Sequence, residues 1–305
     1  MTVGSVKVRT LELHARGTAG WLPTVHPDTC CAMSYKMLVL DLDGTALVHR
    51  GQVHPDDVAA AERLRKAGIH VTISTGRLYT GTEAAAQALG VQGSVAVMNG
   101  SEYVDAQTGA TDFGAYLDDS QRRQLRSLLG DHGIHPFLFA SRTIHLCHSS
   151  ESHAPYLSIW GDALTRHPDI QTSGAWNHAD LLAVCGVAGH EAVSQAAGAV
   201  KAALPGVRPT EFTTFTGEGF LELRAEGYDK GTSLDRLAAE RELHVDEVIA
   251  VGDWLNDIPM LKRAGLSFAM AGSIEEATDA ADEVLEAERG AGGAVAEIAR
   301  RVWGL

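Results

Sequence analysis

The decisive stretch of the sequence is MLVLDLDGT, residues 37–45. Its first four residues are apolar without alternation, which is typical of a short strand buried on both faces of a parallel sheet. Two carboxylates follow the strand, Asp41 and Asp43, and then Gly44. Ligands of open parallel sheets bind beyond the carboxyl ends of the strands, so both carboxylates are expected to project into a site there. Two acids so close together repel each other, and a divalent cation is the simplest way to keep both ionised.

Two other structures would also place a glycine after a pair of acids. A D-x-D-G pattern begins the calcium loop of EF-hand proteins, which expects a bidentate glutamate at loop position twelve. Counted from Asp41, that position is Gln52, so the calcium loop is excluded. An ordinary turn after the strand remains open until other strands are found to end in matching polar groups.

Length and charge limit the classes of protein to consider. A chain of 305 residues is comfortable for two domains of about 150 residues each. No apolar run approaches the roughly 18 residues that a membrane span needs, so we expect no membrane association. The formal net charge of -14 argues against non-specific nucleic-acid binding, which depends on cationic side chains that neutralise phosphates.

The cysteines and the first residues bear on location. The four cysteines form no C-x-x-C pair and no signal-peptide pattern is seen, which predicts a reduced cytoplasmic setting. Residues 1–33 precede the first strand and show little periodicity. We interpret them as an N-terminal extension without regular order.

Regular alternation follows the opening stretch. The pattern predicts a helix from Pro55 to the glycine at 68, a strand over 69–74, a helix over 79–89 and a strand over 95–98. Such a β-α-β-α-β order implies right-handed crossovers and a single parallel sheet.

The middle of the chain is less regular. From 116 onwards the sequence predicts a helix over 120–129, short strands over 136–139 and 143–147, a strand over 181–187, a helix over 191–204 and a hairpin over 213–223. Strands and helices without strict alternation indicate an α+β unit inserted into the parallel domain. Alternation resumes at Lys230, with strands over 248–251 and 266–270 and closing helices over 274–281 and 295–302.

Polar groups stand where four of these elements end or begin. They are Asp41 with Asp43, Thr75 with Gly76, Lys230, and Asp253 with Asn256 and Asp257. A parallel sheet would bring such ends to one edge. Agreement at four separate places outweighs the explanation of the first pair as a simple turn.

With these four motifs the chain resembles the haloacid dehalogenase superfamily, and within it the Cof-type subfamily. The motifs are, in order, DLDGT at 41–45, STGR at 74–77, DKG at 229–231 and GDWLND at 252–257. The resemblance implies an α/β fold with a Rossmann-like parallel-sheet core and an inserted α+β cap. The corresponding domains would be 34–115 with 226–305 for the core and 116–225 for the cap.

The resemblance also implies an activity, which is Mg²⁺-dependent hydrolysis of phosphomonoesters of small metabolites, with sugar phosphates as first candidates. Carried over to this sequence, Asp41 would be the nucleophile that forms an aspartyl-phosphate, and Asp43 the general acid and base. The metal would be held by Asp41, the main-chain carbonyl of Asp43, and Asp253. Oxygen ligands of this kind suit Mg²⁺.

The other motif residues fit phosphate chemistry. Thr75 and the main chain at Gly76 would bind phosphoryl oxygens. Lys230 would place an ammonium at a helix N-terminus. The ammonium and the helix N-terminus would both offset the negative charge of the transferred phosphoryl group.

Three further residues have less defined roles. Asn256 would contact the phosphate or orient the nucleophile. Asp257 would anchor Lys230 or complete the surroundings of the metal, and Arg77 would reach the phosphate or the cap.

The same residues are also compatible with other functions. A phosphomutase and a non-catalytic regulatory protein that binds a phosphometabolite would both keep the scaffold, while a dehalogenase would need neither Asp43 nor a magnesium site. The partner in each phosphate-based case is a small phosphorylated metabolite, and we expect a monomer or small homo-oligomer. Five histidines in the inserted unit are interpreted as solvated rather than as a second metal site: His132, His135, His145, His148 and His153. Residues considered for substrate contacts there are Arg142, His145, His148 and Glu218.

Overall fold

The computed structural model of the protein describes residues 35–48, 51–214 and 216–305, so the extension interpreted at 1–33 lies outside the described residues. The strands in the described ranges are β1 (Met37–Leu40), β2 (Leu47–Val48), β3 (Gln52–Val53), β4 (His70–Ile73), β5 (Ser94–Val97), β6 (Glu102–Asp105), β7 (Thr111–Gly114), β8 (His135–Ala140), β9 (Thr143–Cys147), β10 (Leu164–His167), β11 (Leu181–Ala188), β12 (Val207–Thr213), β13 (Gly219–Ala225), β14 (Val248–Gly252), β15 (Leu266–Ala271) and β16 (Glu283–Glu288).

The α-helices in the same ranges are α1 (Pro55–Lys66), α2 (Glu83–Leu89), α3 (Asp119–Asp131), α4 (Ala154–Leu157), α5 (His190–Ala203), α6 (Lys230–Ala239), α7 (Ile258–Arg263), α8 (Glu275–Ala280) and α9 (Ala294–Ile298). None of the helices seen in these ranges is long and apolar enough to cross a bilayer.

The central sheet is parallel, as predicted, and its strand order is β16-β15-β14-β1-β4. Every residue of β1 and β14 is buried, which explains why both read as unbroken apolar runs. Met37 pairs with Val248, and Leu40 pairs with Ile73 on the other side. The carboxyl end of β1 therefore lies between the ends of two neighbouring strands.

The third predicted strand does not join this sheet, and that part of the prediction is wrong. The strand β5 makes one parallel bridge to the end of β4, between Ala96 and Ser74, and then pairs antiparallel with β6. The residues that follow β5 explain its antiparallel partner. Met98 and Asn99 have φ angles of 46° and 54°, so the chain turns back at once into β6 and β7 instead of crossing over the sheet.

A second sheet, of order β10-β9-β8-β11-β13-β12, is formed by the inserted residues. Its strands alternate, so that Leu138 packs towards α3 and α5 while Phe137 and Phe139 lie on the opposite face. On that opposite face the same cluster includes Leu78 and Met98 from the first part of the chain. This unit has the α+β character predicted, although its second hairpin begins at β12, earlier than expected. The domain limits at 115 and 225 stay a prediction.

One buried carboxylate joins the first helix to the last. Asp57 of α1 is fully buried, and its carboxylate accepts hydrogen bonds from the main-chain N–H groups of Gly293 and Ala296 at 2.7 and 3.0 Å. Those N–H groups belong to the first turn of α9, where no main-chain partner is available. Asp57 therefore supplies the N-terminal cap of the closing helix.

The histidines of the inserted unit are not all solvated. His145 on β9 is 3% exposed, and its Nδ1 lies 3.0 Å from Nε2 of His167. The ring of His178 lies 4.8 Å away between centroids. Burial, and then the nearby His178 and His167, lower the pKa of His145 to about 4. The interpretation as solvated is wrong for His145 and correct for His135 and His148, which are exposed.

We expect Asp57→Ala to lower the free energy of unfolding by about 3 kcal/mol, because two buried N–H groups lose a charged acceptor. Urea unfolding measures the change. The neighbouring Asp56→Ala is the control, since the Asp56 side chain is 78% exposed and its loss should cost under about 0.5 kcal/mol. Equal effects of the two substitutions would contradict the capping role.

We also expect part of the stability to disappear between pH 6.5 and 4 because of His145. In this window the unfolded chain takes up the proton and the folded His145 does not, so its contribution is complete above pH 6.5 and is lost as the pH falls. Unfolding free energies measured across the window should fall by about 2–3 kcal/mol less in His145→Phe than in the original protein. The exposed His135→Asn should keep the original slope, and an unchanged slope in His145→Phe would refute the assignment.

Candidate active site

The centre of the site is an ion pair between Asp41 and Lys230. Asp41 follows β1 and is 4% exposed, while Lys230 begins α6 and is fully buried. The ammonium lies 2.5 Å from Asp41 Oδ1 and 2.5 Å from Asp257 Oδ1. Burial alone would lower the pKa of Lys230, but the carboxylates of Asp257 and Asp41 raise it above its ordinary value. The lysine therefore stays charged between two acids.

Local sequence fixes Lys230 in this place. Asp229 precedes α6, and its carboxylate accepts a hydrogen bond from the Thr232 N–H at 2.9 Å, while Thr232 Oγ1 accepts one from the Asp229 N–H at 3.0 Å. This reciprocal pair is a capping box. It sets the start of the helix at Lys230, whose side chain then points to the end of β1.

Three buried carboxylates share the pocket. Oxygens of Asp41, Asp253 and Asp257 all lie within 4.8 Å of one another. Asp253 follows β14, and it accepts hydrogen bonds from Thr45 Oγ1 at 3.1 Å and from Arg289 Nε. Burial, together with the charge of Asp257, raises the pKa of both Asp41 and Asp253. A cation among these oxygens would relieve that cost, and their hard donor chemistry fits Mg²⁺.

The turn after β1 has to be close to Asp253. Gly44 has a φ of 85°, and a Cβ atom there would lie 2.5 Å from Asp253 Oδ2. No other residue type fits this approach without displacing the acid. Gly44 thus belongs to the motif because Asp253 needs the space.

Asp257 has a larger part in the site than the sequence indicated. One of its oxygens binds Lys230, and the other accepts hydrogen bonds from the N–H groups of Asp253 and Trp254 at 2.9 and 3.0 Å. It therefore anchors the lysine, as predicted, and also orders the loop that carries Asp253.

Asp43 lies apart from this acidic group. Its side chain is 49% exposed and is held by Arg77, whose Nε and terminal nitrogen donate to the two carboxylate oxygens at 2.8 and 2.6 Å. A further Arg77 nitrogen donates to the Gly81 carbonyl at 3.1 Å. Arg77 was expected to reach phosphate or the cap, which stays a prediction, and the structure shows in addition that it positions Asp43.

The second and fourth motifs meet beside these acids. Thr75 is fully buried, and its hydroxyl accepts a hydrogen bond from the Arg77 N–H at 3.2 Å. Asn256 donates to Asn99 Oδ1 at 2.9 Å, and Gly76 lies against both asparagines. Asn99 was not among the predicted site residues. Its signal was its position directly after the third strand, the same kind of position that identified Asp41 and Thr75.

A cavity of about 400 Å³ opens over these groups. Its floor carries the predicted residues Asp41, Asp43, Gly76, Lys230 and Asn256, while Thr75 does not line it. Its other wall comes from the inserted unit, from residues 156–160 and from β12 and β13. Four residues considered for substrate contacts from the sequence do not line this cavity: Arg142, His145, His148 and Glu218.

Comparison with known proteins places this geometry in a family. A family model described as haloacid dehalogenase-like hydrolase matches residues 38–298. A phosphoglycolate phosphatase of Methanopyrus kandleri is 27% identical over 84% of this chain and 93% of its own length. The pyridoxal phosphate phosphatase YbhA of Escherichia coli is 24% identical over 81% of this chain and 92% of its own length.

Structural comparison gives the same fold. The crystal structure of a haloacid dehalogenase-like hydrolase from Bacteroides thetaiotaomicron matches with a TM-score of 0.76 and 23% identity, over 88% of this chain and all of that chain. The sequence-based expectations of a Cof-type motif set and of a hydrolase are confirmed. By its motifs, its fold and the family model that spans most of its length, the chain belongs to the haloacid dehalogenase-like hydrolase family.

Proposed function

We propose that this protein is a Mg²⁺-dependent phosphatase that hydrolyses phosphomonoesters of small metabolites through an aspartyl-phosphate on Asp41. One observation carries the proposal. A buried carboxylate at the end of the central strand is bound to a buried lysine, lies within 4.8 Å of two further acids, and faces a cavity. The two phosphatase relatives, which act on phosphoglycolate and pyridoxal phosphate, support the same class of substrate.

The acidic group is where the metal would be held. Asp41 and Asp253 would supply carboxylate oxygens to Mg²⁺, with Asp257 beside them. When bound, the ion would offset the repulsion between the Asp41 carboxylate and an incoming phosphate dianion. Asp257 remains bonded to Lys230 and to two main-chain N–H groups, so it orients the group as well as adding to its charge.

The side chains of the protein divide the reaction into two displacements. The Asp41 carboxylate attacks phosphorus, the bond from phosphorus to the leaving oxygen breaks, and Asp43 gives that oxygen a proton. Asp43 then accepts a proton from water as the water oxygen attacks the phosphorus of the aspartyl-phosphate. The bond between phosphorus and the Asp41 oxygen breaks, which releases inorganic phosphate and regenerates the Asp41 carboxylate. The half-exposed position of Asp43, held over the cavity by Arg77, suits a group that must exchange protons with both leaving group and water.

The positive groups hold the phosphoryl oxygens. Lys230 brings its ammonium and the N-terminus of α6 to the same place, and both favour an anion. The main chain at Gly76 and the amide of Asn256 border the cavity where the remaining oxygens would lie. A volume of about 400 Å³ suits a small metabolite, with sugar phosphates as the expectation from sequence.

We expect Asp41→Asn to reduce phosphate release by about a thousandfold or more, because an amide cannot form the covalent intermediate. A colorimetric assay of phosphate released from several metabolite phosphates measures it. The exposed Asp279→Asn is the matched control and should keep full activity. Full activity in Asp41→Asn would refute the proposed nucleophile.

We expect activity to disappear with a chelator and to return with added Mg²⁺. In Asp253→Asn, the Mg²⁺ concentration for half-maximal activity should rise about tenfold or more, since one charged oxygen ligand is lost. Magnesium titrations of both proteins, at one saturating substrate concentration, give the comparison. Activity that is unaffected by chelation would overturn the metal requirement without touching the role of Asp41.

A further inference from the structure

One wall of the cavity is aromatic. Tyr156, Trp160 and Phe212, hereafter the aromatic wall, all line the cavity and are only partly buried. They come from a short helix, the turn after it, and strand β12 of the inserted unit. Aromatic faces in a concave site supply large apolar contact area with a defined orientation.

The aromatic wall is held in place from behind. The ring of Phe220, which is buried, stacks on Phe212 at 4.6 Å between centroids and lies 5.3 Å from Trp160. Tyr156 meets Trp160 edge to face at 4.8 Å. A ligand ring would therefore meet side chains whose positions are already fixed by packing, which lowers the entropy cost of binding.

The aromatic wall is also fastened to the catalytic loop. The carbonyl of Trp160 accepts a hydrogen bond from the N–H of Leu78 at 2.7 Å, and Leu78 directly follows the arginine that binds Asp43. A Cβ atom on Gly81 would lie 2.9 Å from that same carbonyl, so the close approach requires glycine. The main chain of Trp160 is thus bonded directly to the loop whose Arg77 holds Asp43.

Exposed apolar side chains gather around the same cavity. Within the described residues, three of the five large hydrophobic side chains that are exposed line it, namely Ile159, Trp254 and Leu255. Trp254 is on the loop that carries Asp253, and the Arg289 guanidinium covers its ring at 4.9 Å. Apolar surface concentrated in one concave site indicates an apolar ligand.

The buried charged residues that the inserted unit contributes to the cavity are already paired with each other. These two residues, Glu222 and Arg224, bind each other at 2.8 Å, and Arg224 also donates to the Tyr228 carbonyl. A sugar carries a hydroxyl on nearly every carbon, and each buried hydroxyl needs a partner. A flat aromatic ring needs few hydrogen-bond partners and binds mainly through its contact area.

We propose that the substrate is a phosphate ester of an aromatic alcohol, whose planar ring packs against Trp160 and Phe212 while its phosphate lies over Asp41. The proposal rests on the phosphatase function and replaces sugar phosphates with aromatic esters as the favoured class. The ring selects the substrate through binding, and so the preference belongs to KM more than to kcat.

Benzyl phosphate and cyclohexylmethyl phosphate test this directly. Both are primary esters with the same number of carbon atoms and with leaving alcohols of similar acidity, and only the first has a flat aromatic ring. We expect kcat/KM to favour benzyl phosphate about fivefold, mainly through KM. We expect glucose 6-phosphate to be poorer than either.

Two variants and a control assign the preference to the aromatic wall. Trp160→Leu and Phe212→Leu keep apolar volume but lose the ring face, and each should remove most of the preference for benzyl phosphate over cyclohexylmethyl phosphate. Phe113→Leu removes a ring that packs against Tyr103 and Tyr228 outside the cavity, and it should keep the preference.

The outcomes separate this proposal from the phosphatase function. Equal rates for the two ring esters, better hydrolysis of glucose 6-phosphate, or a preference that survives both leucine substitutions would overturn the aromatic class and leave the phosphatase standing. Failure to hydrolyse any ester would overturn the phosphatase. Calorimetric binding of the two ring esters to the unaltered protein would then decide the aromatic proposal, with tighter binding of benzyl phosphate supporting it and equal binding overturning it.

Discussion

The structure depends on a buried lysine that stands between two buried acids. Removing an ammonium from water is costly, and the cost is recovered only where the geometry supplies charged acceptors on more than one side. Lys230 finds Asp41 at the end of β1 and Asp257 after β14, each at 2.5 Å. These residues come from opposite ends of the chain, so the ion pairs form only in the complete sheet. The same cation leaves two net negative charges among the three acids and Lys230, which keeps the pocket attractive to a metal ion.

The inserted unit serves the site through one face of its sheet. Alternation along β8 and β11 sends one set of side chains towards α3 and α5 and the other towards the first part of the chain. The second set is rich in rings, and it ends at the cavity. The side chains that stabilise the unit and those that line the cavity therefore lie on one face of the sheet. Substitutions on this hydrophobic face would alter the shape of the cavity.

Much of the site could be predicted because the relevant signals are local. A buried strand that ends in an acid identifies Asp41, and a lysine at a helix start identifies Lys230. The pairing of Arg77 with Asp43 could not be predicted, because the sequence indicated a separate role for each residue. Only the folded loop shows the two side chains in contact. Their separation by 34 positions carries no periodic signal.

About as much of the fold as of the site could be predicted from the sequence. The strands of the parallel sheet that have apolar runs were found, whereas β16 was missed because four of its six residues are exposed and three of its six are glutamates. The strand β5 was found but its antiparallel pairing with β6 was not, because the turn between them depends on Asn99, which adopts a left-handed conformation that non-glycine residues seldom take. The aromatic wall could not be predicted either, because its rings come from segments that meet only in the folded structure.

The register of the central sheet has a consequence for synthesis of the protein. Met37 pairs with Val248, more than two hundred residues later in the chain. At a ribosomal rate of about 5–20 residues per second, β1 remains without β14 for about ten to forty seconds. The strands between 135 and 225 find most of their partners nearby in sequence and can pair during that interval. During synthesis β1 can therefore pair with β4 early on one side, while its other side stays open until most of the chain has been made.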